Sequence, residues 1–315
     1  MNLKTTAIHK PAPHFPVLVK QTPGINNLGN KLLQFALFEH IKHMMDIPMV
    51  LYGVTIPDLQ NDFCSEPHPP KLDNPLILDK FACNRIDADL LQSLVSSGIY
   101  DGIWMKGWGT NLRTLGPQKR YLEHLINRLP SPIRTVFPKD TLLINLRLGE
   151  IVSDPCKHSD YTPLPVKSYR PIIEQSKLKP IFYGQITPGP YLDELKSEYP
   201  DAGFIEGAGL DAFWTIRNAK HKVLSVSTFS WLAAWLGPPD TRIFMPIAGA
   251  FHPLQRPDWN LIPWNDPRYR FIVYAPYPRT REHPLSTYLE EWHTMSQPYP
   301  IIHPKESRSG QSQLE

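Results

Sequence analysis

A chain of 315 residues with 41% hydrophobic and 20% charged residues has apolar material for more than one core and lacks the composition of a disordered protein. A net charge of +3 with no long basic run argues against a nucleic-acid partner, while an anionic small ligand such as a nucleotide diphosphate stays compatible. Three widely spaced cysteines, Cys64, Cys83 and Cys156, make neither a disulfide framework nor a paired-cysteine zinc site. No apolar run reaches signal-peptide length at the N-terminus or the ~18–20 residues of a membrane helix. The chain is therefore expected to be cytoplasmic, membrane-peripheral at most, or a lumenal domain from which an anchor was removed. The 35 prolines predict many short elements joined by stiff loops.

Residues 1–14 read as a flexible arm. Phe15 to Gln21 predicts a buried strand, and an Asn/Gly turn follows. Apolar residues at Leu32, Leu33, Phe35, Ala36, Phe38, Ile41 and Met44 predict a helix over 29–45. Pro48 ends it, and Met49 to Tyr52 follow as a strand. Helices are expected at 87–96 and 118–129, with a strand over 99–108. From Thr141 the alternation sharpens. Strands are predicted at 142–146, 181–183, 203–205, 222–226 and 242–245, with helices at 165–176, 191–198, 211–218 and 228–236. Alternation of this kind implies parallel sheets with helices on both faces, whose ligands bind beyond the carboxyl ends of the strands. The divisions expected are 15–139 as an N-terminal α/β domain, 140–276 as a second, Rossmann-like domain, and 277–315 as a proline-rich extension with a disordered end.

Chemistry concentrates in three segments. Asn26-Asn27-Leu28-Gly29-Asn30-Lys31 opens the first helix, where unpaired N–H groups and the helix dipole favour an anion; a plain N-capping turn reads the same way. Asn145-Leu146-Arg147-Leu148-Gly149-Glu150 ends a strand with one arginine, suited either to a bidentate phosphate contact or to an ion pair with Glu150 or Asp154. Ser227-Thr228-Phe229-Ser230 opens another helix, as a cap or as phosphate donors. Trp231 and Trp235 share one of its faces, as core more readily than as a ligand platform. Asp87-Ala88-Asp89 has the spacing of a metal-binding acid pair, but it opens a helical pattern where acids favour the dipole. No histidine spacing suits a catalytic metal.

Together the three segments resemble the α-1,2-fucosyltransferase family, glycosyltransferase family 11. The family's opening GGLGNQ segment corresponds to residues 26–36. Its H-x-R-R-G-D motif corresponds to residues 145–150, with Asn145 for the histidine, Leu148 for the second arginine and Glu150 for the acid. Its late serine-rich, tryptophan-rich motif corresponds to residues 226–236, and Tyr161-Thr162-Pro163-Leu164-Pro165 with Tyr169 resembles the stretch between. The resemblance implies an α/β fold with two Rossmann-like domains of GT-B type and a cleft between them. It also implies inverting transfer of fucose from GDP-fucose to a glycan acceptor hydroxyl, O2 of a galactoside, with no metal and no cofactor. On the same basis Arg147 meets the β-phosphate, Ser227, Thr228, Phe229 and Ser230 hold the pyrophosphate, Asn27, Gly29 and Asn30 lie near the donor sugar and phosphate, and Asp211 faces the guanine. Glu150, Asp154, His158 and Asp160 follow the second motif as candidate bases, with Glu150 and His158 kept as the catalytic pair of choices. A different donor sugar or a protein acceptor, or non-catalytic binding of nucleotide or glycan, are the alternative expectations.

Overall fold

The computed structural model describes residues 14–19, 28–45, 47–54, 65–66, 70–129, 135–153, 160–277 and 284–304. They group into two compact units, one drawn from residues 1–26 and 31–121, the other from 27–30 and 122–315.

The smaller unit is built on a five-stranded, all-parallel sheet. Its strands are β1 (Phe15–Val19), β2 (Met49–Tyr52), β3 (Ser65–Glu66), β4 (Pro75–Leu78) and β5 (Gly102–Met105), in the order β3-β2-β1-β5-β4. Helix α1 (Leu28–Met44) connects β1 to β2, and Leu32, Leu33, Ala36, Leu37 and Ile41 are fully buried along it, as its apolar spacing requires. Lys42 and His43 close its last turn, where the dipole favours cations. Helices α2 (Lys80–Asn84) and α3 (Ala88–Ser96) follow β4. Asp87 caps α3 by accepting from Leu90 N at 2.9 Å, so the Asp87-Ala88-Asp89 segment opens a helix as its sequence suggests. Helix α4 (Leu112–Leu115) leads through a 3-10 turn into α5 (Lys119–Arg128). The division between the units falls inside α5 rather than at residue 139. The end of α5 belongs with the larger unit, where Arg217 Nη2 donates to Asn127 Oδ1 at 3.2 Å.

The larger unit carries a seven-stranded sheet. Its elements in chain order are β6 (Thr141–Arg147), α6 (Gly149–Ser153), a 3-10 turn at Val166–Tyr169, α7 (Arg170–Ser176), β7 (Lys179–Gln185), α8 (Pro190–Glu198), β8 (Gly203–Glu206), α9 (Gly209–Asn218), β9 (His221–Val223), α10 (Thr228–Trp235), β10 (Arg242–Ile247), β11 (Tyr269–Val273), α11 (Leu285–Ser296) and β12 (Ile301–Ile302). The spatial order is β12-β11-β10-β9-β6-β7-β8, parallel except for the antiparallel edge strand β12. With β6 to β11 counted as one to six, the parallel part runs 3-2-1-4-5-6, the order of a Rossmann sheet. The order of strand succession reverses between the parallel neighbours β6 and β9, and ligands of such sheets sit at that crossover, beyond the strand ends. The central strand β6 is buried on both faces through Leu146, as a strand covered by two helix layers must be. The stretch expected to be a C-terminal extension in part completes this sheet: β12 pairs with β11, and Trp292 on α11 donates Nε1 to Ala275 O at 2.8 Å.

Candidate functional site

All of the following contacts lie within the larger unit, to which residues 27–30 belong. At the crossover a small hollow is lined by Asn145 and Arg147 from the end of β6, Tyr161 and Thr162 from the following segment, and Ser225 and Val226 from the segment after β9. The sheet order thus brings the second and third motif segments to one place, although some eighty residues separate them in the chain.

Arg147 is the last residue of β6, in register with Gln185 of β7. Its Nη2 donates to Glu150 Oε1 at 2.7 Å, and its guanidinium lies 5.1 Å from the centre of the Tyr161 ring. The ion pair anticipated as one use of this arginine is present, with side chains 21% and 43% exposed. Burial pushes the Glu150 carboxyl upward, but the Arg147 hydrogen bond, the residue's own N–H, the Arg147 charge and Gln185 together hold it below the usual carboxylate value. Gln185 Nε2 donates to Glu150 Oε2 at 3.4 Å. Tyr161 is pushed up to about 12, first by burial, and stays a neutral phenol at physiological pH.

Asn145 has another task. Its buried amide donates to Tyr183 O at 3.1 Å and accepts from Ser225 Oγ at 2.7 Å. This link ties β6 to the segment after β9 across the crossover. Ser230 shares that network, its Oγ 3.2 Å from Ser225 Oγ and within bonding distance of Ser225 O and Ser227 O. Ser230 is fully buried and turned inward, so it braces the wall of the hollow and presents no hydroxyl to it. Ser227 caps α10, accepting from Phe229 N at 3.3 Å. Thr228 Oγ1 donates to Asn30 Oδ1 at 3.1 Å. The first turn of α10 contains no acidic residue, so its positive dipole end favours an anion. Gly29, buried, lies beside Asn30 in the first turn of α1.

Phe229 packs edge-on against Phe213 of α9 at 5.6 Å. Asp211, in the first turn of the same helix, accepts from Tyr183 OH at 3.2 Å, while its Oδ1 is buried without a partner. Neither residue lines the hollow. Asp160 is held by Arg256 Nη1 at 3.2 Å. Asn27, Asp154 and His158 lie outside the described residues. Among the described residues no three His, Cys, Asp or Glu side chains are grouped to hold a metal ion, and no helix is long and apolar enough to cross a membrane.

No family model and no curated protein matches the chain. Among solved structures, an arginine-to-lysine mutant of Arabidopsis thaliana FUT1 in complex with GDP is similar over 75% of this chain and 71% of its own, at 13% identity and a TM-score of 0.44.

Functional residues are expected from the sequence just after Leu146, Tyr183 and Val226, which points to the neighbourhood of Ser225, Gln185 and Tyr183 without naming them as site residues. The strand expected to run to Val226 ends at Val223, so Ser225 leaves the ladder and turns its hydroxyl to Asn145. Gln185 stands at a parallel strand's carboxyl end, the one position rule that could have found it.

Proposed function

We propose that the chain is a metal-independent, inverting glycosyltransferase that moves L-fucose from GDP-fucose to a glycan hydroxyl, O2 of a galactoside. The observation that carries the reading is the convergence of Arg147 with Ser225 and Val226, which lead directly into the Ser227-Thr228 helix start, on the crossover of a Rossmann-ordered sheet. The sequence resemblance of the same segments supplies the donor and the sugar. In this reading Arg147 meets the β-phosphate, and the first turns at Gly29-Asn30 and Ser227-Thr228 hold the pyrophosphate. Asp211, in α9, and Phe229, which packs on that helix from α10, serve the guanine side. Ser230 supports the wall through Ser225.

The acceptor oxygen attacks the anomeric carbon as the bond to the β-phosphate oxygen breaks. Negative charge grows on the departing diphosphate, and fixed positive groups placed there lower the barrier most. The acceptor proton passes to a carboxylate or imidazole, Glu150 or His158. Glu150 is ionised near neutral pH and starts bound to Arg147. A diphosphate that takes the same guanidinium N–H releases it toward the acceptor.

The test is incubation of the protein with GDP-fucose and a panel of galactosides in the presence of EDTA, read by mass spectrometry. A fucosylated galactoside supports the reading. Donor bound by the protein with neither transfer nor hydrolysis favours a non-catalytic binding protein, and transfer abolished by EDTA contradicts metal independence. Activity confined to another nucleotide sugar or to protein acceptors moves the assignment within the transferases.

A further inference from the structure

An alternating run of cations and aromatic rings stands beside the hollow. The Arg147 guanidinium lies 5.1 Å from the Tyr161 ring centre, Tyr161 meets Trp259 edge-on at 6.3 Å, and the Arg256 guanidinium lies 4.5 Å from the Trp259 ring centre. Arg256 is fixed in turn. It donates Nε to Asp258 Oδ1 at 2.9 Å and Nη2 to Asp258 Oδ2 at 2.8 Å, and reaches Asp160 Oδ2 with Nη1 at 3.2 Å. The Asp258 side chain is only 6% exposed. The main chain repeats the connection: Ala250 N donates to Asp160 O at 2.8 Å, and at Gly249, with φ +50°, an added Cβ would stand 2.3 Å from that same oxygen. The loop after β10 therefore grips residue 160 by backbone and side chain and the ring of residue 161 by contact.

We propose that Tyr161 is a positioning residue for Arg147, and that Arg256, held between Asp160 and Asp258, keeps Tyr161 in place. The assignment rests on the reading of the hollow as a diphosphate site and names what orients its arginine. The strand fixes the backbone of Arg147, but its long side chain retains rotamer freedom that must be lost before it can receive charge. Glu150 restrains it through an N–H that an incoming phosphate needs. The Tyr161 ring touches the guanidinium without engaging an N–H, so in-plane donors stay available for bidentate contact. Ring and ligand act on the arginine together, whereas Glu150 and ligand compete.

Calorimetric titration with GDP tests the assignment. Tyr161→Phe keeps the ring and is expected to bind within about twofold of the unaltered protein, whereas Tyr161→Leu loses about tenfold. Arg256→Gln is expected to weaken binding in the same direction. If that variant fails to fold because Asp258 is left buried and unpaired, the Arg256→Gln/Asp258→Asn pair carries the same arm. The discriminating measurement is Tyr161→Leu in an Arg147→Lys background, where the planar group is gone and the expected further loss is under about twofold. Equal losses in both backgrounds make Tyr161 merely structural and overturn the assignment, as does wild-type affinity in Tyr161→Leu. Absence of GDP binding by the unaltered protein overturns the diphosphate reading itself and the assignment with it. Binding that ignores residue 161 overturns the assignment alone.

Discussion

Arg147 and Glu150 hold each other at the end of β6, and the two side chains should respond to substitution in opposite ways. Arg147→Ala removes the one guanidinium that lines the hollow among the described residues, and loss of such a donor costs about 2.7–4 kcal/mol of barrier, roughly 10²–10³ in kcat. Both partners are partly exposed, so the melting temperature should barely move. Steady-state kinetics beside a thermal melt checks both halves. Glu150→Gln removes a competitor for the same N–H. GDP should bind as well or better while kcat falls, and calorimetry with kinetics on that variant separates the two effects. If kcat is unchanged, the proton goes elsewhere and His158 becomes the base to examine.

At the level of elements, α10 carries the most structural weight. Its amino end follows directly on Ser225 and Val226 of the hollow, and Arg268 closes its carboxyl end, donating to Trp235 O at 3.0 Å and Gly237 O at 2.8 Å while paired with Asp266. A cation at this end satisfies orphan carbonyls and complements the dipole. Arg268 is 8% exposed, so Arg268→Ala leaves both Asp266 and those carbonyls short of a partner. It is expected to cost about 3–5 kcal/mol in urea unfolding, the usual penalty for breaking a buried pair. The elements of this unit were largely legible because periodicity changes cleanly between strand and helix from Thr141 to Trp235. Others were not. β4 begins with Pro75, which reads as a loop, yet a proline is tolerated at the first position of an edge strand. β11 follows a turn rich in proline and aspartate, and its Tyr-Arg-Phe-Ile-Val run is too short to stand out from it. Arg147, Thr228 and Asn30 were readable as strand-end and helix-start residues. The inward role of Ser230 was not, because a serine at a helix start looks identical whether it faces a ligand or the core.

For the molecule as a whole, the two sheets carry the apolar core, and Glu39, Lys222, Asp258 and Arg268 are buried among the described residues, Lys222 most completely. Lys222, in β9, is fully buried and donates Nζ to Arg217 O at 2.9 Å. Burial first, then the charges of Arg268 and Arg217, push its ammonium down to about 7, against the opposing Asp240. The folded protein therefore prefers the neutral amine far more than the unfolded chain does. From this group, folding loses stability as pH falls from the unfolded value near 10.4 to about 7 and changes little below that. Lys222→Met should flatten that part of the stability–pH curve and stabilise the protein at pH 6, which urea titrations at a series of pH values will show. The claim on which the functional account turns is narrower: a diphosphate is received at the crossover between β6 and β9 by Arg147. Calorimetric titration of GDP and GMP into the unaltered protein and Arg147→Ala tests it most directly. The expected result is tighter binding of GDP than GMP, with that preference lost in Arg147→Ala. A preference for GDP that survives the substitution undiminished would contradict the account.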